Sequence, residues 1–249
     1  DKLDSTATYA FTVVPNIDGT GTETQIGFSG EKVDTAQILA IPDSDLYIKS
    51  FKAQGTLAGI DIPRISGNCI QVKSGGNLVT DPTSGVFAGL ATTGRYNTAS
   101  GALTFFQSNN PLTAISTSAA ITSGELYYTG SGTTAAFRME HNLADTDIGR
   151  IHNTDIEGSS INASNDFRIL AIRKTNTELF GYENNLLGGQ NIAYTDEGRA
   201  NNQINFMTAN GGLRPLGGYL GSILFYNNDI GTTELFKIRD YFNSVYSIY

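Results

Sequence analysis

The sequence has few of the residues that build disulfide scaffolds or reactive thiol sites. Its 249 residues include one cysteine, Cys69, so no disulfide can form within the chain. A domain of this length can bury a core that needs no disulfide for its stability. Cys69 lies in the alternating stretch 68–72, and this pattern predicts a small buried apolar residue rather than a reactive thiol.

Basic residues are also scarce, and long apolar runs are absent. Lysine and arginine total 16 against 24 acidic residues, which gives a formal net charge of −8. The sequence therefore lacks the basic footprint of a nucleic-acid-binding protein. No run approaches the ~18 apolar residues of a membrane-spanning helix. We therefore expect neither a nucleic-acid partner nor insertion into a membrane.

The residues of common catalytic centres are rare too. The chain has two histidines, His141 and His152, and no Gly-x-Ser-x-Gly motif, so nothing indicates a nucleophilic triad. Two histidines and one cysteine without ligand-like spacing do not predict a zinc site. We therefore expect a protein that is not an enzyme.

Glycine is abundant, with 28 residues, and asparagine, threonine and serine occur throughout. Glycine and asparagine tolerate the positive φ that turns require, so this composition predicts many short strands joined by turns. Strand-like segments recur roughly every ten residues, a spacing typical of sandwiches and barrels. The predicted strands cover residues 7–14, 25–29, 36–41, 46–53, 68–73, 85–91, 102–107, 125–129, 134–139, 166–173, 178–183, 203–208 and 219–226. The nearly continuous apolar run at 166–173 predicts a central strand buried on both faces, with 178–183 as its hairpin partner.

One helix is predicted, over residues 231–245. Its apolar residues recur at helical offsets of three, four and three, namely Leu235, Ile238, Phe242 and Val245. Thr232 or Thr233 can accept from free amides at its start, and Glu234 suits the positive end of the helix dipole.

The length suits a single β-sandwich domain over residues 1–249. The patterning is clearer in residues 158–249 than before them. An amino-terminal subdomain or insertion over residues 1–157 therefore stays open as an alternative.

The last third of the chain resembles a known family. The closing strand, turn and helix carry the resemblance through Leu220, Ile223, Phe225, Tyr226, Asn227, Thr233, Glu234, Ile238, Tyr241 and Phe242. Upstream, residues 167–174 followed by 179–182 resemble the family's hairpin. These segments are similar to concanavalin A-like lectins and glucanases, including laminin G-like domains. The resemblance implies an antiparallel β-sandwich of the jelly-roll type with one carboxy-terminal helix.

The resemblance also implies a functional setting. The composition, rich in glycine, asparagine and threonine, is similar to that of family members in bacteriophage fibres and spikes. The resemblance implies a non-enzymatic structural or receptor-binding protein, extracellular or on a virion surface. Its partner would be a host-surface glycan or a neighbouring virion subunit, and a homo-oligomer, with a trimer favoured, is expected. The alternatives are a secreted polysaccharide-cleaving enzyme or its carbohydrate-binding module, and a purely structural capsid or spike protein.

The family's glycosidases carry a Glu-x-Asp-x-Glu strand, in which alternation places carboxylates on one face. This chain lacks the triplet. Its nearest approach is Asp155-Ile-Glu157, which lies in a turn-rich stretch and is interpreted as a solvated loop.

Sugar-binding sites usually offer aromatic platforms and amide side chains, and this chain has 12 tyrosines and no tryptophan. The candidate carbohydrate-binding residues are Tyr127, Tyr128, Tyr182, Asn184, Asn185, Gln190 and Tyr194. The alternative is that these tyrosines belong to the core or its rim.

A calcium ion is the metal that the sequence best accommodates; no other cofactor is indicated. Asn142, Asp145 and Asp147 supply closely spaced oxygen ligands before Gly149. The alternative is an ordinary loop stabilised by Asn and Asp side chains.

Overall fold

A computed structural model of the chain describes residues 7–30, 32–55, 60–98, 111–122, 124–129, 137–141, 147–151, 154–157, 166–184, 186–187, 192–193, 204–207 and 216–249. For the strands between residues 124 and 157 it describes the backbone, together with the side chain of Met139. For residues 186–187, 192–193 and 204 it likewise describes the backbone alone.

Within these ranges the chain forms two helices, α1 (Thr35–Ala40) and α2 (Gly231–Tyr246), and a series of short strands. The strands are β1 (Phe11–Val14), β2 (Thr24–Ile26), β3 (Phe28–Ser29), β4 (Lys32–Val33), β5 (Leu46–Lys52), β6 (Asp61–Ser66), β7 (Ile70–Ser74), β8 (Asn77–Leu78), β9 (Gly89–Ala91), β10 (Arg95–Asn97), β11 (Leu112–Thr122), β12 (Gly124–Thr129), β13 (Phe137–His141), β14 (Asp147–Ile151), β15 (Thr154–Glu157), β16 (Arg168–Lys174), β17 (Glu178–Glu183), β18 (Leu186–Leu187), β19 (Ile192–Ala193), β20 (Ile204–Phe206) and β21 (Gly217–Tyr226).

The described strands form two large sheets and a separate hairpin of β3 and β4, and the pairings among them are antiparallel. The first sheet runs β2–β1–β5–β7–β9–β21–β11–β16–β17, with β18 and β19 both beside β17. The second runs β6–β10–β20–β12–β13–β14–β15. Strand β6 also pairs with β5 and so joins the sheets. The predicted antiparallel β-sandwich with a carboxy-terminal helix is confirmed.

The main core lies between the two sheets. The first sheet contributes aliphatic side chains to it, among them Val13, Ile48, Ile70, Ala114 and Ile172, and the second sheet contributes Tyr96, Met139 and Phe206. Tyr96 is completely buried, yet its hydroxyl donates to the Ile48 carbonyl at 2.6 Å and accepts from the Ile70 amide at 2.9 Å. Burial of this ring therefore leaves no polar atom unpaired.

A second core lies between the other face of the first sheet and α2. Its members include Ile115, Ala119, Ile169, Leu235 and Phe242. Because cores lie on both faces, all seven residues of β16 are buried, which confirms the prediction for a central strand at 166–173. The long neighbouring strand β11 is buried in the same way and was not predicted.

The predicted carboxy-terminal helix is confirmed from its first residue, Gly231, and extends one residue beyond the prediction, although its capping differs. Leu235, Phe242 and Tyr246 are its buried residues, and the Tyr246 ring stacks on Phe167 at 4.9 Å. The residue before the helix is Ile230, and no side chain caps it, so the predicted caps at Thr232 and Thr233 are wrong. The Thr232 hydroxyl lies within the first turn and instead accepts from Arg173 Nη1 at 2.6 Å.

Two other local predictions are wrong. Residues 36–41 were expected to form a strand, but Thr35–Ala40 is helix α1, because the Asp34 carboxylate accepts from the amides of Ala36 and Gln37 and caps it. Residues 154–157 were expected in a loop, but they form strand β15, which pairs with β14. The strand predicted at 102–107 lies outside the described residues. Cys69 is buried, as predicted, and burial raises the pKa of its thiol.

Strands from both halves of the chain share the first sheet, since β9 pairs with β21 and β11 with β16. The assignment of a single domain over residues 1–249 stays a prediction. Among the described residues, neither helix has the length and apolar character needed to cross a membrane.

Candidate functional site

The second sheet has two chemically different faces. Directly opposed residues in a sheet share a face, whereas consecutive residues along a strand alternate between faces. Tyr96, Phe206 and Met139 are buried in the main core, and they occupy one row of the register together with Tyr127. The positions next to them in sequence therefore lie on the outer face.

These outer positions form a continuous row of hydrogen-bonding residues. From β10 to β15, the register places opposite one another Asn97, Asn205, Tyr128, Arg138, Arg150 and Asp155. We call this set the polar row. With strands spaced about 4.8 Å apart, the polar row is roughly 24 Å long. Its length and composition suit an extended polar ligand better than a compact apolar one.

Asn205 lies near one end of the polar row and is completely buried. Its side-chain oxygen accepts from Arg95 Nη2 at 3.0 Å. Its Nδ2 has no hydrogen-bond acceptor among the described residues. A buried donor left without an acceptor costs roughly 1–3 kcal/mol. The Asn205 amide therefore keeps one donor that the described residues leave unpaired beneath the surface of this face.

The two acidic residues of the Asp155-Ile-Glu157 segment also belong to this sheet. Asp155 and Glu157 lie two residues apart on β15, so these positions share a face about 6.6 Å apart along the strand. Asp155 belongs to the polar row, opposite Arg150. The expected solvated loop is in fact the last strand of the second sheet.

Of the predicted carbohydrate-binding residues, the four that the structure describes lie in or beside two different sheets. Tyr128 belongs to the polar row, while Tyr127 occupies the row of the core residues. Tyr182 and Asn184 lie at the β17 end of the first sheet. Residues Asn185, Gln190 and Tyr194 lie outside the described residues.

Tyr182 is buried under α2 rather than placed at the surface. Its ring meets Phe236 edge to face at 6.0 Å, and its hydroxyl accepts from Arg173 Nη1 at 3.1 Å. Asn184 adopts a positive φ of 52°, and its side-chain oxygen accepts from the Ile169 amide at 3.0 Å. Both side chains therefore already have partners within the protein.

Arg173 is the centre of a hydrogen-bonded cluster beside the start of α2. Its guanidinium makes two parallel bonds to Asp229, Nε to Oδ1 at 2.6 Å and Nη2 to Oδ2 at 2.8 Å. These bonds raise the pKa of Arg173 and lower the pKa of Asp229. Together with the bonds to Tyr182 and Thr232 they use four of the five donors of the guanidinium, so this cluster ties β16 to the start of α2.

The predicted calcium ligands are only partly covered. Asp147 is the first residue of β14, and Asn142 and Asp145 lie outside the described residues. Within the described ranges, no group of three or more His, Cys, Asp and Glu side chains is placed to hold a metal ion. The calcium site stays a prediction.

The polar row was not predicted from the sequence. Arg95 and Asn205 are hydrogen-bonded although they are 110 positions apart in the chain. No local sequence motif connects the residues of the polar row, such as Asn97, Asn205, Arg138 and Arg150. Only the pairing register of β10, β20, β12, β13 and β14 brings them into one line.

No protein-family model matches the chain, and no curated protein matches it in sequence. Several solved structures are similar in fold. An arabinofuranosidase complexed with arabinofuranosyl-α-1,2-xylobiose superposes with a TM-score of 0.67 and 9% identity, over 98% of this chain and 60% of that chain. A GH54 α-L-arabinofuranosidase soaked with a cyclic sulfate inhibitor gives 0.68 and 10% identity, over 98% and 61%. A Trypanosoma rangeli sialidase gives 0.52 and 7% identity, over 77% and 30%.

The chain shares their β-sandwich fold. It spans about three fifths of the length of the arabinofuranosidases that it matches. At identities of 10% or less the likeness concerns the fold alone. The coarse part of the resemblance read from the closing strand and helix is therefore supported, and the association with bacteriophage fibres stays a prediction.

Proposed function

We propose that this protein binds a glycan along the polar row on the outer face of the second sheet. The observation that carries the proposal is the line of opposed residues from Asn97 to Asp155, with the Asn205 amide at hand to bind a further oxygen. The binding partner is therefore inferred from a site on the sheet and not from the fold.

The residue types of the polar row suit sugar hydroxyls. Each hydroxyl can both donate and accept a hydrogen bond, while asparagine offers a donor and an acceptor and arginine offers five donors in a planar fork. Tyrosine adds an aromatic ring with a polar tip, the usual companion of such groups in sugar sites. The row therefore pairs with several hydroxyls in succession, as an extended oligosaccharide presents them.

The fold supports the same proposal. One of the similar structures is an arabinofuranosidase that holds arabinofuranosyl-α-1,2-xylobiose, so this sandwich architecture is compatible with an oligosaccharide ligand. We propose binding without catalysis, in an extracellular or virion-surface setting. The viral setting, the neighbouring subunit as a partner and the trimer rest on the sequence resemblance alone.

The test is a glycan array followed by calorimetry, with arabinofuranosyl-xylobiose among the first ligands. Asn97→Ala and Arg138→Ala should each weaken binding about tenfold, since each removes one or two hydrogen bonds. Arg239→Ala is the matched control, because Arg239 lies on α2 beside Asp240 and far from the second sheet. Binding that survives both row substitutions would overturn the assignment to this face. A lack of binding to every glycan would overturn the proposal itself and leave a purely structural role.

A second candidate, polysaccharide cleavage, is favoured by one observation. Asp155 and Glu157 share a face of strand β15, and retaining glycosidases hold their two carboxyl groups about 5–5.5 Å apart. If the protein cleaves any glycan that it binds, Asp155→Asn and Glu157→Gln should each abolish cleavage while binding persists. Cleavage that is unchanged in both variants would exclude this carboxylate pair.

A further inference from the structure

A cavity of about 380 Å³ lies inside the sandwich, beside the last strand of the chain. Strand β9 pairs with β21 only from Gly218 to Leu220, whereas β21 continues to Tyr226. Among the described residues, no strand takes the place of β9 next to residues 222–226. Residues 220–225 line this cavity, together with core residues of both sheets such as Ile70 and Phe206.

The lining is mostly aromatic and aliphatic. Six phenylalanines contribute to it, namely Phe11, Phe28, Phe51, Phe87, Phe206 and Phe225. Apolar cavities offer water few hydrogen-bond partners and tend to remain dry. An empty cavity of this size forfeits packing contacts that an apolar ligand would restore. The walls therefore favour a ligand with a hydrophobic body.

The polar lining residues include two cations, Lys32 and Lys52. The short hairpin of β3 and β4 contributes Phe28 and Val33, which oppose each other in its register, and Lys32 next to them. The end of β5 contributes Lys52, whose ammonium group contacts Asp61 at 2.9 Å and lies 5.5 Å from the centre of the Tyr9 ring. Lys32 is exposed, and no described carboxylate pairs with it. The described lining residues include no aspartate or glutamate.

We propose that this cavity binds an alkyl carboxylate, with the chain among the phenylalanines and the carboxylate at Lys32. The cavity size lies within the range typical of small-molecule sites. The site is independent of the polar row, because Phe206 lines the cavity while Asn205, the preceding residue of β20, lies on the opposite face of the second sheet. The ligand class follows from the apolar walls together with the exposed cation Lys32 among the lining residues.

Calorimetry on the whole chain with dodecanoate, below its critical micelle concentration, tests the proposal, with dodecanol as the neutral comparison. Dodecanoate should bind with one ligand per chain. Lys32→Gln should weaken the binding of dodecanoate about tenfold, because one charge-assisted hydrogen bond is lost. The affinity for dodecanol should not change. Lys237→Gln, on the solvent side of α2, is the matched control and should change neither affinity.

Ala53→Phe supplies a second variant, since Ala53 lines the cavity and a larger side chain there fills it. It should abolish binding of dodecanoate while the melting temperature stays at or above that of the wild type. If dodecanoate and dodecanol bind with equal affinity and Lys32→Gln changes neither, the proposal that a carboxylate binds at Lys32 is overturned. Binding that persists in a folded Ala53→Phe protein, or no binding of either compound, would overturn the site.

Discussion

The two sheets of this protein bury their residues in different ways. The central strands β11 and β16 of the first sheet have a core on each face, because α2 covers the side that does not meet the second sheet. Their polar groups are paired inside the protein: the Thr117 hydroxyl accepts from the Ser222 amide at 2.7 Å, and Arg168 contacts Glu183 at 2.8 Å. On these two strands, as far as the structure describes them, no buried polar side-chain atom lacks a hydrogen-bond partner.

Among the described residues, the core contacts of the second sheet lie on one of its faces. Its other face carries the polar row, where the described partners leave the buried Asn205 amide without an acceptor. We therefore expect the residues that stabilise the fold and the residues that bind a ligand to lie on different sheets. Substitutions around α2 should change the free energy of unfolding and leave ligand affinity intact, whereas substitutions in the polar row should do the reverse.

Phe242→Ala should have the largest effect on stability. Phe242 is 1% exposed and packs against Tyr246 in the core under α2. Removing a buried phenylalanine ring costs about 3–5 kcal/mol, through lost burial and the cavity left behind. Urea denaturation measures the loss. Leu39→Ala is the control, since Leu39 is 49% exposed and its truncation should cost less than about 0.5 kcal/mol. Similar losses in both variants would show that α2 does not cover an essential core.

Asp229→Asn should come next, at about 2–3 kcal/mol near neutral pH, because it leaves the mostly buried Arg173 without its carboxylate. The effect should depend on pH. The fold lowers the pKa of Asp229, so its contribution is fully present above the unfolded value of about 3.9 and is lost as the pH falls through the lower folded pKa.

The difference in unfolding free energy between wild type and Asp229→Asn should therefore shrink as the pH falls from about 6 to about 2. Denaturation at several pH values measures it. A difference that stays constant over this range would mean that the Arg173 and Asp229 pair is not what anchors the helix.

The parts of the fold that were predicted correctly have large apolar residues at a regular spacing. Helix α2 shows Leu235 and Phe242 at helical offsets, and β16 is a nearly continuous apolar run, so burial could be read directly from the sequence. Strand β11 was missed because it contains alanine, serine and threonine where large residues were expected. Its small hydroxyl side chains act as tertiary hydrogen-bonding groups: Ser116 donates to Met139 Sδ at 3.1 Å. A hydropathy pattern cannot distinguish such a strand from a turn.

The candidate site was predicted less well, for a different reason. Tyr128 was chosen as an aromatic residue and does occupy the polar row, but Tyr182, chosen in the same way, is buried beneath α2. Residue type alone does not specify which face of a sheet a tyrosine occupies. That depends on the register among strands distant in sequence, which no local pattern encodes.

Thr117→Val tests the first sheet with a smaller change. The substitution preserves shape but removes the hydroxyl that accepts from the buried Ser222 amide. A buried amide left without an acceptor costs about 1–3 kcal/mol. Thermal denaturation followed by circular dichroism measures the loss, and glycan affinity should not change. A loss of glycan affinity in a stable variant would contradict the separation of the two faces.

Asn205→Ala should have the smallest effect on stability and a clear effect on binding. The variant loses the bond from Arg95, about 1 kcal/mol, but it also removes the amide that the described residues leave without an acceptor, so the net cost should lie below that figure. Urea denaturation measures stability, and calorimetry with a bound glycan should show about a tenfold loss of affinity. A destabilisation of about 2 kcal/mol or more with unchanged affinity would show that Asn205 is a structural residue, satisfied within the protein, and that the polar row lacks its proposed contact with the ligand. The pairing of this variant with Thr117→Val is informative because each removes one buried polar group from a β-strand. Only in the second sheet should the removal change binding and leave folding nearly intact.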